Sequence, residues 1–195
     1  MSSSSQNPPP PGEPPHGPPE KYPDLGPGPV DGVRLFAAPA VPTAVVRAEA
    51  VPMATIGEFF DAAFGRAFPV LFAEGVTPVA AAFALYTRVS GGAEAEADLE
   101  IGFPLAEPLT RPHDRESDDA DGLRVVASEL PAGEIAVTSY LGSYDGLGEA
   151  WGRFMGEIGS MGRAPGIPFW EVYVTDPSPD MDPATLRTDL FCRVS

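Results

Sequence analysis

The chain has 195 residues, of which 43% are hydrophobic, enough for one domain of ordinary size or two small ones with a packed core. Its formal net charge of −16, from 28 acidic against 12 basic residues, would repel a phosphate backbone, so direct nucleic-acid binding is not expected. Such a field would instead concentrate cations, including organic ones. The sequence has neither an apolar run approaching the roughly 18 residues of a membrane span nor a signal-peptide pattern, so we expect a cytoplasmic protein without a membrane partner.

The N-terminal segment 1–30 is rich in proline and poor in apolar side chains, since the first 29 residues contain 11 of the 25 prolines. A segment of this composition buries too little apolar surface to offset the entropy lost on ordering. We therefore predict a disordered tail over 1–30. Polyproline runs are typical of semi-rigid spacers and also of ligands for aromatic grooves, so a protein partner for the tail stays open.

The remainder of the chain is duplicated. Gly32 and Gly122 each begin a pattern of strand, proline turn, second strand and helix start. Farther on, "DLEIGFPL" from Asp98 aligns with "DLFCRVS" from Asp189 at the same spacing of about 91 residues. Two copies of one supersecondary unit therefore make up the folded part of the chain.

The duplication predicts the fold class. We expect an α+β domain over 31–195, made of two pseudo-symmetric strand-helix-hairpin repeats, 32–105 and 122–195. The repeats should form an antiparallel sheet with helices on one face and a ligand groove between the halves. The segment between them, 106–121, holds six acids, two arginines and two prolines and is typical of an exposed, solvated linker.

The hydrophobic pattern places the elements of each repeat. The apolar face of the first helix comprises Ile56, Phe60, Phe64, Phe68 and Leu71, and that of the second comprises Leu147, Ala150, Trp151, Phe154, Met155 and Ile158. The predicted strands are 43–50, 82–89 and 97–105 in the first repeat and 134–141, 168–175 and 187–194 in the second.

Metal and cofactor chemistry has little support in the sequence. Neither His16 nor His113 has Cys or His partners at ligand spacing, so we expect no metal site. Cys192 alternates with Leu190 and Val194 in the last strand, which favours a packed thiol over a nucleophile. No phosphate-cradling glycine loop is present, and we expect no cofactor.

The run "FWEVYVTDP", residues 169–177, carries a carboxylate in the middle of an otherwise apolar strand. Because side chains alternate across a strand, Glu171 shares one face with Phe169 and Tyr173. The other face is uniformly apolar and comprises Trp170, Val172 and Val174. We therefore expect the apolar face to pack against the helices and the face with Glu171 to look away from them.

Two interpretations of Glu171 stay open. Aligning Tyr86 with Tyr173 places Ala84 where Glu171 stands, so a groove between the halves would hold one off-centre acid among rings, an arrangement suited to a flat lipophilic cation. Alternatively, the strand lies at a sheet edge and the carboxylate is solvated or paired with a residue such as Arg88. The same choice between groove and core applies to four other aromatic residues: Tyr86, Tyr140, Tyr144 and Trp151.

The order of several short motifs resembles a known family. "ASELPAGEIAVTSYLGSYDGLGEAW", "PFWEVYVTDP" and the final "TDLFCRV" are similar to the GyrI-like small-molecule-binding domains, also called AraC-type effector-binding domains, over roughly residues 32–195. The resemblance implies two pseudo-symmetric halves, a groove across the sheet, and a central glutamate that meets cationic or polar ligands. Glu171 matches that glutamate, and Tyr173 matches its aromatic partner. Many relatives carry a DNA-binding helix-turn-helix, whereas the extension here is proline-rich and too short for one.

The resemblance also implies an alternative activity. Some stand-alone relatives are described as hydrolases that open the cyclopropane ring of natural products with a glutamate and a tyrosine, which would make Glu171 and Tyr173 catalytic. A carboxyl group whose pKa is raised by burial can exchange protons near neutral pH.

Three functions therefore follow from the sequence and the resemblance. We expect first a stand-alone module that senses or sequesters hydrophobic, cationic small molecules, second a strained-ring hydrolase that uses the same groove, and third an inhibitor that docks on another protein. The expected ligand-binding residues are Glu171, Tyr173, Phe169, Tyr86, Tyr144, Tyr140 and Trp151.

Overall fold

A computed structural model describes residues 25–92, 94–109, 123–175, 178 and 180–195. This part of the chain contains eight strands and two α-helices, which confirms the α+β class. The elements are β1 Arg34–Ala38, β2 Val41–Pro52, α1 Ile56–Ala73, β3 Phe83–Val89, β4 Glu96–Pro104, β5 Val125–Leu130, β6 Gly133–Leu141, α2 Leu147–Ser160, β7 Pro165–Tyr173 and β8 Arg187–Val194.

The strands form one antiparallel sheet in the order β1-β6-β8-β7-β3-β4-β2-β5. The two repeats meet at the central pair of β7 and β3, so the pseudo-twofold axis passes between these strands. The first strand of each repeat pairs with the second strand of the other, since β1 lies beside β6 and β5 beside β2. This exchange interlocks the halves into one sheet.

Two short connections force the sheet to curl. β1 and β2 stand six positions apart in the sheet, yet only two residues connect Ala38 to Val41. In a flat sheet these strands would be roughly 29 Å apart, whereas three Cα steps span at most about 11 Å. Leu130 and Gly133 impose the same constraint from the other edge. The two edges therefore approach each other, and the concave side of the sheet becomes a buried core.

This curl corrects the predicted layering around Glu171. Trp170 and Val172 lie in the concave core with residues from both sheet edges, not against the helices. Val174 lies beyond the end of β7 and is exposed. Phe169 and Tyr173 instead pack in the clusters beneath the helices. The expectation that the Glu171 face looks away from the helices is wrong, because the curled sheet covers its uniformly apolar face with its own edges.

Both helices lie on the convex face, one over each half. α1 buries Ala63, Ala67 and Leu71 against the sheet, and α2 buries Ala150, Phe154 and Ile158. The predicted core face of β8, with Leu190, Cys192 and Val194, packs under α2 as expected. Phe68 departs from the predicted face of α1 and is exposed.

The domain boundaries need one adjustment. Leu25 packs on the concave core and Val30 is buried, with its amide donating to Ser139 Oγ at 2.7 Å. Ordered packing therefore begins before residue 31, although most of the predicted tail, 1–24, lies outside the described residues. Most of the predicted linker also lies outside them. None of the helices in the described ranges is long and apolar enough to cross a membrane.

Candidate functional site

Glu171 lies at the centre of the convex face, on the strand beside the pseudo-twofold axis. Its cross-strand neighbours are Ala84 of β3 and Leu190 of β8. Ala84 is the residue that the repeat alignment makes equivalent to Glu171, so the two equivalent positions face each other across the axis. Glu171 therefore belongs to an inner strand, and the sheet-edge interpretation is wrong. Only 5% of its surface is exposed.

The carboxylate of Glu171 accepts one hydrogen bond on each oxygen. Trp151 Nε1 in α2 donates to Oε1 at 2.7 Å, and the Tyr173 hydroxyl donates to Oε2 at 2.7 Å. Burial raises the pKa of the Glu171 carboxyl, and the hydrogen bonds from Tyr173 and Trp151 oppose that rise because they stabilise the ionised form. Both donors are neutral groups, so neither compensates the charge.

Aromatic rings surround Tyr173, which lies two residues after Glu171 on the same face of β7. Phe60 and Phe64 of α1 meet its ring edge-on at centroid distances of 6.0 and 6.1 Å. Tyr144, in the 3-10 turn Tyr144–Gly146 before α2, meets the same ring at 5.8 Å. Burial and then the nearby Glu171 charge raise the pKa of Tyr173 far above its usual value, so its hydroxyl keeps its proton.

A second cluster of rings surrounds Phe169, which lies two residues before Glu171 on the same face of β7. Tyr86 and Phe169 are cross-strand partners whose rings stack at 5.0 Å, and Trp151 meets Phe169 at 4.7 Å. The pKa of Tyr86 is raised by burial and, to a smaller extent, by the charge of Glu171. The acid therefore lies between rings contributed by both helices and both central strands.

Six of the seven predicted site residues form this one contact network, and Tyr140 does not. The Tyr140 hydroxyl donates to the backbone carbonyl of Ser143 at 3.0 Å. An added Cβ at either Gly142 or Gly146 would overlap this hydroxyl, so the turn is wrapped around the phenol. Tyr140 also borders a small hollow of about 80 Å³ beside α2. It supports the turn that carries Tyr144 and is not among the hydrogen-bond partners of Glu171 in the described part of the chain.

Two of the residues that contact Tyr173 were not predicted from the sequence as part of the site. Phe60 and Phe64 were predicted only as the apolar face of α1, yet both touch Tyr173. The repeat offers a signal for one of them: at the spacing of about 91 residues, Phe60 in α1 corresponds to Trp151 in α2. A larger cleft of about 500 Å³ lies at the C-terminal end of α1, between Glu74 and Leu109, and includes none of the predicted residues.

A buried acid bonded to two neutral donors and enclosed by rings can act in two ways. The ionised form attracts a cation that arrives over the ring faces. The protonated form, favoured by burial, can exchange a proton with a bound molecule. The described residues include no group of three His, Cys, Asp or Glu side chains that could hold a metal ion.

The fold recurs in solved structures of low sequence identity. The C-terminal domain of EcmrR is 18% identical with a TM-score of 0.66, over 84% of this chain and 96% of that one. In the structure of EcmrR bound to DNA, the chain described here covers only 56% of the length of the EcmrR chain. A hydrolase from Listeria innocua is 13% identical with a TM-score of 0.57, over 86% of this chain and 93% of that one.

A further solved structure contains a ligand. SAV2435 bound to tetraphenylphosphonium is 11% identical with a TM-score of 0.53, over 85% of this chain and 94% of that one. No curated protein sequence matches the chain significantly. These structures show the fold class: an α+β domain with one antiparallel sheet and two helices.

The sequence itself identifies the family. Residues 37–195 match the model of the GyrI-like small molecule binding domain. The chain belongs to this family, as the motifs around Glu171 indicate.

Proposed function

We propose that the chain binds lipophilic organic cations between α1 and α2, with the Glu171 carboxylate as the counter-charge. The observation that carries the proposal is an acid that is 5% exposed and enclosed by rings from both halves, and whose hydrogen-bond partners among the described residues are the neutral donors Trp151 and Tyr173. A carboxylate in such surroundings gains most from an arriving positive charge, because little water is left to stabilise it.

Entry of a ligand requires an outer ring to move. Tyr144 is 42% exposed, and its ring lies against that of Tyr173, whose hydroxyl donates a hydrogen bond to Glu171. A cation that displaces Tyr144 would meet the faces of the remaining rings before it reaches the carboxylate. The acidic surface, with a net charge of −16, raises the local concentration of such ligands.

Tetraphenylphosphonium is a suitable first probe, because it is a rigid lipophilic cation and is bound by one protein of the same fold. Glu171→Gln keeps the shape and the acceptor for Trp151 but removes the charge. We expect this variant to lose about tenfold or more in affinity, measured by isothermal titration calorimetry.

Glu149→Gln is the matched control for this experiment. It changes the net charge by the same amount, but Glu149 is an exposed residue of α2 that pairs with Arg153. We expect its affinity to stay within about twofold of wild type, because exposed charges are screened. Equal affinities of Glu171→Gln and wild type would contradict the proposed role of the acid.

Hydrolysis is a second candidate, favoured by the raised pKa of Glu171 beside the Tyr173 hydroxyl and by the hydrolase of the same fold. In such a reaction Glu171 would protonate a ring carbon of a cyclopropane, water would add to the carbon released, and the water proton would return to Glu171. Mass spectrometry of a cyclopropane-bearing natural product after incubation separates the candidates. A water adduct that disappears in Glu171→Gln supports catalysis, whereas an unchanged compound removes this candidate for that substrate.

A further inference from the structure

Thr188 carries a buried hydroxyl group without a partner. The residue is 0% exposed, and its Oγ1 has no hydrogen-bond partner among the described residues. Buried polar groups in folded proteins are nearly always hydrogen-bonded, because an unpaired one has lost water without a replacement. An unpaired hydroxyl group beside a candidate ligand site therefore points to a partner that arrives with the ligand.

The position of Thr188 ties it to the site around Glu171. It lies on β8, with Tyr140 and Tyr173 as cross-strand neighbours. Leu190, two residues farther along the same face of β8, pairs directly with Glu171. Thr188 is thus on the convex face, adjacent to the tyrosine that bonds the acid.

The turn before α2 packs against both cross-strand neighbours of this position. Gly142 and Gly146 lie against the Tyr140 hydroxyl, and the ring of Tyr144 lies against that of Tyr173. The same turn therefore contacts both cross-strand neighbours of Thr188. Movement of this turn on ligand entry would loosen the packing on both sides of Thr188.

We propose that Thr188 is a second ligand contact, whose hydroxyl group hydrogen-bonds a neutral polar group of the bound cation. The inference rests on the proposed function and narrows its ligand class to lipophilic cations that also carry a hydroxyl, ether or carbonyl group. Strand geometry sets the spacing, because one step across the sheet and two along it separate the Cα atoms of Glu171 and Thr188 by roughly 8 Å. The polar group of the ligand lies at a similar distance from its positive centre.

Two matched probes test the contact. [4-(Hydroxymethyl)phenyl]triphenylphosphonium and (4-ethylphenyl)triphenylphosphonium have nearly the same shape and charge, but only the first has a hydroxyl group. Thr188→Val removes Oγ1 with little change in volume. We expect the affinity ratio of the two probes, measured by calorimetry, to fall about threefold to tenfold in Thr188→Val, through weaker binding of the hydroxymethyl probe alone.

Thr43→Val is the matched control variant. Thr43 is also fully buried with an unpartnered hydroxyl group in the described structure, but it alternates with Ala44 and points into the concave core. Both variants should be at least as stable as wild type in urea, and Thr43→Val should leave the affinity ratio unchanged. A ratio that Thr188→Val does not alter, or that both variants alter equally, would overturn the contact while leaving cation binding intact. If neither probe binds wild type, the proposed function fails, and this inference with it.

Discussion

The two halves of the molecule share a scaffold and differ in the side chains that they place on the convex face beside the pseudo-twofold axis. Phe60 and Trp151 occupy equivalent positions in α1 and α2, and Ala84 and Glu171 occupy equivalent positions in β3 and β7. The first half therefore contributes a phenyl ring and a methyl group, whereas the second contributes an indole donor and a carboxylate. The duplication gives a symmetric frame in which two equivalent positions face each other at the axis, and only one of them holds an acid.

A second equivalent pair shows how much the surroundings matter. Asp98 and Asp189 correspond in the repeat, and each accepts two hydrogen bonds from one arginine. The side chain of Arg88 is 45% exposed, whereas that of Arg187 is 10% exposed and forms its ion pair with Asp189 in the concave core. Ser139 completes the buried cluster by donating to Asp189. The two ion pairs have the same chemistry, but the first is exposed to water and the second is buried in the protein interior.

The largest expected effect comes from breaking the buried pair. Arg187→Met removes the guanidinium partner of the buried Asp189, which costs about 3–5 kcal/mol of unfolding free energy. Arg88→Met, the equivalent change in the first half, should cost far less, because water can solvate Asp98. Urea denaturation measures both.

A companion variant keeps the comparison informative if Arg187→Met does not fold. Arg187→Met/Asp189→Leu removes both charges, and replacing a buried pair by apolar residues is often close to neutral. We expect this double variant to be more stable than Arg187→Met. Equal losses from Arg187→Met and Arg88→Met would show that burial does not distinguish the two pairs.

The two halves should also differ in how their buried and exposed acids make stability depend on pH. The pKa of Glu171 is raised by burial, so the folded chain holds this proton more tightly than the unfolded chain, and stability falls as pH rises from about 4.5 through the folded value. Asp98 behaves oppositely. Its hydrogen bonds with Arg88 and the Ala50 amide lower its pKa to about 2, so its contribution is present above 3.8 and is lost as pH falls toward 2.

Two variants isolate these contributions. Glu171→Gln should match wild type near pH 4 and exceed its stability at pH 7, because the cost of ionising a buried acid is gone. The stability of Asp98→Asn should depend on pH in the same way as that of wild type in the neutral range. As the pH falls toward 2, this variant should lose less stability than wild type. Thermal unfolding followed by circular dichroism across this range measures both, and a Glu171→Gln variant less stable than wild type at pH 7 would show that its two hydrogen bonds outweigh burial.

Sequence patterns predicted the scaffold better than the layering. Alternation grouped Phe169, Glu171 and Tyr173 on one face, and the structure joins them, because a strand's period is a local property. The same pattern assigned Trp170 to the helix layer, since it cannot reveal that two-residue connections between distant strands curl the sheet. The strand order had to be known first.

Tyr140 and Thr188 illustrate a second limit. The aromatic type of Tyr140 suggested a ligand contact, but its hydroxyl group bonds the carbonyl three residues later, a choice that depends on the turn's conformation. Thr188 gave no signal at all, because an unpaired hydroxyl group can be recognised only when every neighbouring donor and acceptor is placed.

The smallest expected effect concerns the helices. Gly152 of α2 corresponds to Asp61 of α1 at the repeat spacing, and no atom lies within 4 Å of a Cβ built on Gly152. Close approach of another backbone, which would require a glycine, is therefore not found among the described residues. Gly152→Ala should then stabilise the fold by about 1 kcal/mol, since alanine restricts the unfolded chain and favours the helix. Gly146→Ala is the contrasting variant: its added methyl group would overlap the Tyr140 hydroxyl, so it should destabilise the fold. A loss of stability in Gly152→Ala would mean that the exposed side of α2 is covered by a part of the assembly beyond these residues, and that the two helices differ in partners as well as in sequence.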